Sequence, residues 1–162
     1  MNVLNTTDVS DFRQKLVRAF PPKPFYAQVS THDECDEGIA LLKELPGKRW
    51  DEVSAAFVDF NSGSLPLLVP SALVAFLPAW LLRSMETVGD ESVLAEFTMY
   101  FLCPGKEVEG DEKGIVGLVS QFATAQKSMV EDFLRSIVET EAFKHWHPYA
   151  EYGIKWWSAS EA

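Results

Sequence analysis

Eighteen consecutive residues, Leu65 to Leu82, carry no charge, and prolines stand inside that run at positions 66, 70 and 78. A stretch of that length is where a membrane span must be considered, but the prolines read against one. Pro70 suits the first turn of a helix, where its missing N–H has no intrahelical partner to lose, whereas Pro78 removes an internal hydrogen bond and predicts a kink or a division in two. Leu73, Val74, Phe76, Leu77, Trp80, Leu81 and Met85 lie all round the axis, which is the pattern of a helix enclosed by others. The run therefore reads as the buried centre of a bundle, with Gly89 placed to close it.

The flanking segments carry helical periods as well. Asp8 precedes Val9, Phe12, Leu16 and Ala19, and Pro21, Pro22 and Pro24 end that helix near residue 20. Thr31 reads as the cap of a second helix with Asp33 and Glu34 in its first turn and Cys35, Ile39, Leu42 and Leu45 along one face, closed by Pro46 and Gly47. Trp50, Val53, Phe57 and Phe60 predict a short third helix running into Asn61 to Ser64. Asp90 and Ser92 open a helix whose apolar positions are Val93, Leu94, Phe97, Phe101 and Leu102, stopped by Pro104 and Gly105. Residues 104–114 then read as a long exposed loop. Thr124 is read as the cap of an amphipathic helix with Met129, Phe133 and Ile137 beside Val130, Leu134 and Val138. No stretch alternates as a strand would. The predicted fold is all-α: one domain over 1–162, a compact bundle of about six helices around a proline-kinked central helix.

At 162 residues and 47% hydrophobic content the chain can bury a core of its own. No basic segment followed by an apolar one opens the sequence, and two cysteines, Cys35 and Cys103, are too few for a disulfide framework, so the cytoplasm is the expected compartment. Charge is unevenly placed. Arg13, Lys15, Arg18 and Lys23 against Asp8 and Asp11 give residues 1–25 a net +2, which leaves −12 for the rest of a chain whose total is −10. A field of that sign repels the phosphate backbone, so nucleic acid is not an expected partner; it attracts basic proteins, or serves solubility alone.

Recognised chemistry is sparse. His32 and Cys35 share a helical spacing and His145 and His147 lie near the C-terminus, but two neighbours in a His-x-His pair on a helix point apart and no paired-cysteine spacing supports zinc. The acidic run Asp33, Glu34, Asp36, Glu37 lacks the calcium-loop pattern. Neither a phosphate-binding glycine loop nor a Gly-x-Ser-x-Gly elbow occurs. The expectation is a non-enzyme with no metal and no cofactor. Surface groups that could meet a protein partner are Glu107, Glu109, Asp111 and Glu112 of the predicted loop, the acidic run at 33–37, and Trp156 and Trp157. Those tryptophans belong to an aromatic tail, Phe143 to Trp157, that reads either as a core-packing wrap or as an interface.

The stretch Trp50 to Leu82, and above all Pro70 to Leu82, resembles a family of uncharacterised bacterial proteins with a Pro-x-Ala-x-x-x-aromatic-Leu-Pro-Ala-aromatic-Leu core helix, registered as a domain of unknown function. An acidic segment with a cysteine, a tryptophan and a later glutamine-containing helix match Asp33 to Glu37, Trp50 and Gln126 to Val138, so the resemblance covers about residues 30–138. Val69 departs from it, standing where a capping Thr or Ser is expected. The resemblance implies a fold and no catalytic residues. A small acidic domain of this kind suits a bacterial immunity protein that neutralises a toxin, with no membrane role and an oligomeric state left open. An adaptor domain, or a metal protein or enzyme built on His32, Cys35, His145 and His147, are the alternatives.

Overall fold

Burial of the uncharged run organises the molecule. The computed structural model describes residues 6–90, 92–103 and 117–159, and in it that run becomes a short 3-10 turn, Leu65–Leu67, followed by a 17-residue helix, Pro70–Glu86. The helices in chain order are α1 (Thr6–Ala19), α2 (Asp36–Glu44), α3 (Ala55–Phe60), α4 (Pro70–Glu86), α5 (Leu94–Leu102), α6 (Thr124–Glu139) and α7 (His147–Ala159), with further 3-10 turns at Trp50–Glu52 and Glu141–Trp146. No strand occurs among the described residues, only an isolated antiparallel bridge between Ser30 and Leu68. The fold is all-α, as the periodicity predicts, and no helix of the described residues is long and apolar enough to cross a membrane.

Helix α4 buries Ala72, Leu73 and every residue from Phe76 to Leu82, and it packs against α1, α3, α5, α6 and the Trp50–Glu52 turn. Pro70 occupies its first turn. Pro78 does not divide it: the helix is one element, and the ring leaves the Val74 carbonyl without its usual donor. Thr87 rather than Gly89 caps the end, its N–H and hydroxyl both donating to the Arg83 carbonyl, while Gly89 takes a φ of +90° in the turn beyond.

Polar groups inside the core are satisfied by neighbours, as burial requires. The Trp80 indole donates to the Asn61 carbonyl at 3.2 Å and stands edge-on to Phe57, which ties α3 to α4. Trp50 donates to the Phe20 carbonyl at 2.8 Å, anchoring the turn before α3 to the end of α1. Ser84 of α4 donates to the Trp80 carbonyl at 2.6 Å and meets the Thr98 hydroxyl of α5 at 3.1 Å. One hydrophobic cluster takes in Leu16, Leu41, Val58, Phe76, Leu94, Phe133 and Trp157, one from each helix.

Four local expectations are corrected. Thr31 does not cap α2. The helix begins at Asp36, and Cys35 caps it with Sγ accepting from the Gly38 N–H, so Asp33 and Glu34 precede the helix, and Gly38, Leu41 and Leu45 face inward while Ile39 is half exposed. The predicted third helix is split, because Ser54 caps a new start; Trp50 is buried in the turn before it, and Phe60 is 90% exposed. Helix α5 turns Leu94, Ala95, Thr98, Met99 and Leu102 inward and leaves Val93 and Phe97 outside. Thr124 is the first residue of α6; the Ala123 N–H before it is satisfied by the Gln126 side chain at 2.9 Å.

Candidate interaction surface

The acidic run sits on a turn that the core holds in place. Ser30, 2% exposed, donates from its hydroxyl to the Leu67 carbonyl at 2.7 Å and accepts from the His32 N–H at 3.1 Å, while the Val69 N–H donates to the Val29 carbonyl at 3.0 Å. The chain leaves this anchor, turns through Thr31 and Asp33, and enters α2 at the Cys35 cap. Gly38 makes the turn possible: a Cβ there would lie 1.8 Å from the His32 carbonyl oxygen. Asp33, Glu34, Asp36 and Glu37 are all exposed around a shallow hollow lined by Thr31 to Cys35. Four carboxylates at fixed spacing are acceptors for ammonium and guanidinium groups.

The second acidic group, Glu107, Glu109, Asp111 and Glu112, lies outside the described residues. His32 lines the same hollow as Cys35, but the four expected ligands His32, Cys35, His145 and His147 do not gather in one cluster among the described residues. His32 and His145 are exposed, and His147 is half-buried, its Nε2 donating to the Thr140 carbonyl at 3.0 Å. Among the described residues no three His, Cys, Asp or Glu side chains stand close enough to hold a metal. Cys103 is buried against Gly153, and desolvation pushes its thiol up to about 12, far from thiolate chemistry at neutral pH.

The aromatic tail divides between core and surface. Phe143 and Trp157 are buried; Trp157 is wholly enclosed, donates to the Leu102 carbonyl at 2.8 Å and stands edge-on to Phe122. The expectation that Trp157 reaches a partner is therefore corrected, since its indole already fills the space between α7 and the end of α5. Trp156 is only partly buried and packs edge-on against Trp157, with ring centroids 5.9 Å apart. Tyr149 is exposed.

What sequence reasoning missed is the outer side of α5. Val93, Phe97 and Tyr100 are 50%, 49% and 65% exposed, and at i, i+4 and i+7 they form one stripe. Both faces of this helix are apolar, so the larger side chains draw a sequence reader to the wrong one. The available signal was the set Leu94, Ala95, Thr98, Met99 and Leu102, which has the same period and small residues that allow close approach to α4.

One ion pair ties α3 to α4. Arg83 grips Asp59 through two contacts of 2.8 Å and meets Glu86 at 3.3 Å; the bond to Arg83 holds the Asp59 carboxyl below the usual carboxylate range, and Asp59 in turn raises Arg83. No protein-family model, curated protein or solved structure matches this chain.

Proposed function

We propose that this protein is a binding protein of the immunity type, which engages a basic toxin in the bacterial cytoplasm through an acidic surface and carries out no catalysis of its own. The observation that supports the reading is the turn at 33–37: four exposed carboxylates on a backbone that Ser30 and Gly38 hold to the core. Preset charges of one sign steer an oppositely charged partner and select against others, because they need no rearrangement on encounter. The resemblance of Trp50 to Leu82 to an uncharacterised bacterial family supplies the setting.

The test is co-expression with the product of the gene next to this one. The reading expects a complex that survives purification and an association rate that falls as salt rises, since screening shortens the field to about 8 Å at physiological ionic strength. Reversing Asp33, Glu34, Asp36 and Glu37 to Lys should slow association by about tenfold or more while the chain stays folded, with a loss of about 0.3–1 kcal/mol each for Asp36 and Glu37 in the first turn of α2. No complex, or rates indifferent to both salt and the reversals, would overturn it.

A further inference from the structure

We infer that the outward stripe of α5, Val93, Phe97 and Tyr100, is the docking site for a cationic amphipathic segment of a protein partner, an inference that rests on the partner being basic. Three large side chains in one line on a single helix are more than scattered surface apolarity, and the stripe matches the spacing of anchors on a partner helix. Aromatic residues at interfaces also provide most of the short-range binding energy.

The surroundings of the stripe choose the occupant. From residue 84 to residue 103 the chain holds Glu86, Asp90, Glu91 and Glu96 and no Lys or Arg. Glu96 stands three positions from Val93 and four from Tyr100, so it flanks the stripe on the helix surface, and Asp90 is exposed in the turn just before α5. No basic side chain pairs with Asp90 or Glu96 among the described residues, whereas Glu86 is already engaged by Arg83. An apolar line edged by unneutralised carboxylates takes a segment of apolar residues flanked by Lys or Arg. Those cations would also meet the faces of Phe97 and Tyr100. A second copy of this chain would bring a net charge of −10 and the same carboxylates against their like.

The full chain, labelled with nitrogen-15, is titrated with a synthetic helical peptide of Leu and Lys in an amphipathic repeat and with the matched Leu and Glu peptide. The expected result is amide shifts centred on residues 93–100 with the first peptide and none with the second. The double variant Phe97→Ser/Tyr100→Ser should weaken the Leu–Lys peptide by about tenfold or more, and Glu96→Lys, which leaves the apolar stripe in place, should weaken it less and admit the Leu–Glu peptide. Shifts confined to residues 33–37, no shift at all, or equal binding of both peptides would overturn the site. Dimerisation abolished by Phe97→Ser would overturn it too and give the face to a second copy. A complex with the neighbouring gene product that ignores Phe97→Ser/Tyr100→Ser sinks the α5 site and leaves the acidic-binding reading standing. Failure to form that complex, with the Leu–Lys peptide still bound at α5, does the reverse.

Discussion

The indole Nε1 of Trp157 donates to the backbone carbonyl of Leu102 at 2.8 Å, joining α7 to the end of α5 across 55 positions of sequence. The same ring touches Phe122 edge-on, and beside it Gly153 lets α7 approach Cys103, where a Cβ would come within 2.5 Å of Sγ. Within the aromatic cluster, Trp157 and Phe143 thus close the core, while Tyr149 stays at the surface. Trp157→Phe keeps most of the apolar contact but leaves the Leu102 carbonyl without its buried donor, so it should cost about 1–3 kcal/mol. Trp157→Ala adds a cavity, for about 3–5 kcal/mol. Urea unfolding measures both, and a midpoint untouched by Trp157→Phe would contradict the buried bond.

The middle of α4 should be the most sensitive part of the molecule to truncation. Trp80 and Phe76 are fully buried, and Trp80 also carries the bond to Asn61 that holds α3. Replacing either with Ala should cost about 3–5 kcal/mol. Phe60, nine-tenths exposed on α3, should tolerate Ala within about 0.5 kcal/mol. Comparable losses at all three positions would mean that α4 is not enclosed.

Two glycines offer an opposite pair. At Gly38 an added methyl meets the His32 carbonyl and must push the acidic turn away from α2, whereas at Gly63 it meets nothing within 4 Å. Gly38→Ala should destabilise by about 1–3 kcal/mol, and Gly63→Ala should be neutral or stabilise by up to about 1 kcal/mol through the unfolded chain. Thermal melts of the two variants decide it, and an unaltered melt for Gly38→Ala would show the turn to be loosely held.

The two thiols should separate by reactivity. Cys35 is partly exposed, whereas Cys103 is buried beside Leu134 and Gly153 with its pKa pushed up to about 12 from an ordinary 9.0 by desolvation. At pH 8 iodoacetamide should therefore label one cysteine per folded chain, Cys35, and reach Cys103 only after denaturation. The same shift fixes a sign. Between pH 9 and 12 the folded chain retains a proton that the unfolded chain releases, so stability present below pH 9 is lost as pH climbs toward 12. Cys103→Ala should flatten that decline, and mass spectrometry finding equal labelling of both thiols would refute the burial.

Much of the fold is legible along the chain because it rests on local physics. Helical spacing, the prolines at 21, 22 and 24, Pro70 at a first turn and the uncharged run place α1, α4 and α6 close to where they occur and make α4 the centre. These features need no knowledge of neighbours: φ restriction by proline and the absence of charge act on the segment alone. Other outcomes depend on what lies across the fold. The period of α5 offers two apolar faces, and the small residues of the Leu94, Thr98 and Leu102 side become decisive only through the hydroxyl of Ser84 and the close approach of α4. Likewise Cys35 caps α2 in place of Thr31 because Ser30 is bound to Leu67, 37 positions away, and the chain must complete its turn before a helix can begin. Whether Trp157 is core or surface was equally hidden, since a tryptophan's period shows that it lies on a helix face but not whether a carbonyl such as that of Leu102 waits opposite it. Composition and period are properties of a segment, whereas the choice of face is made by the partner it packs against.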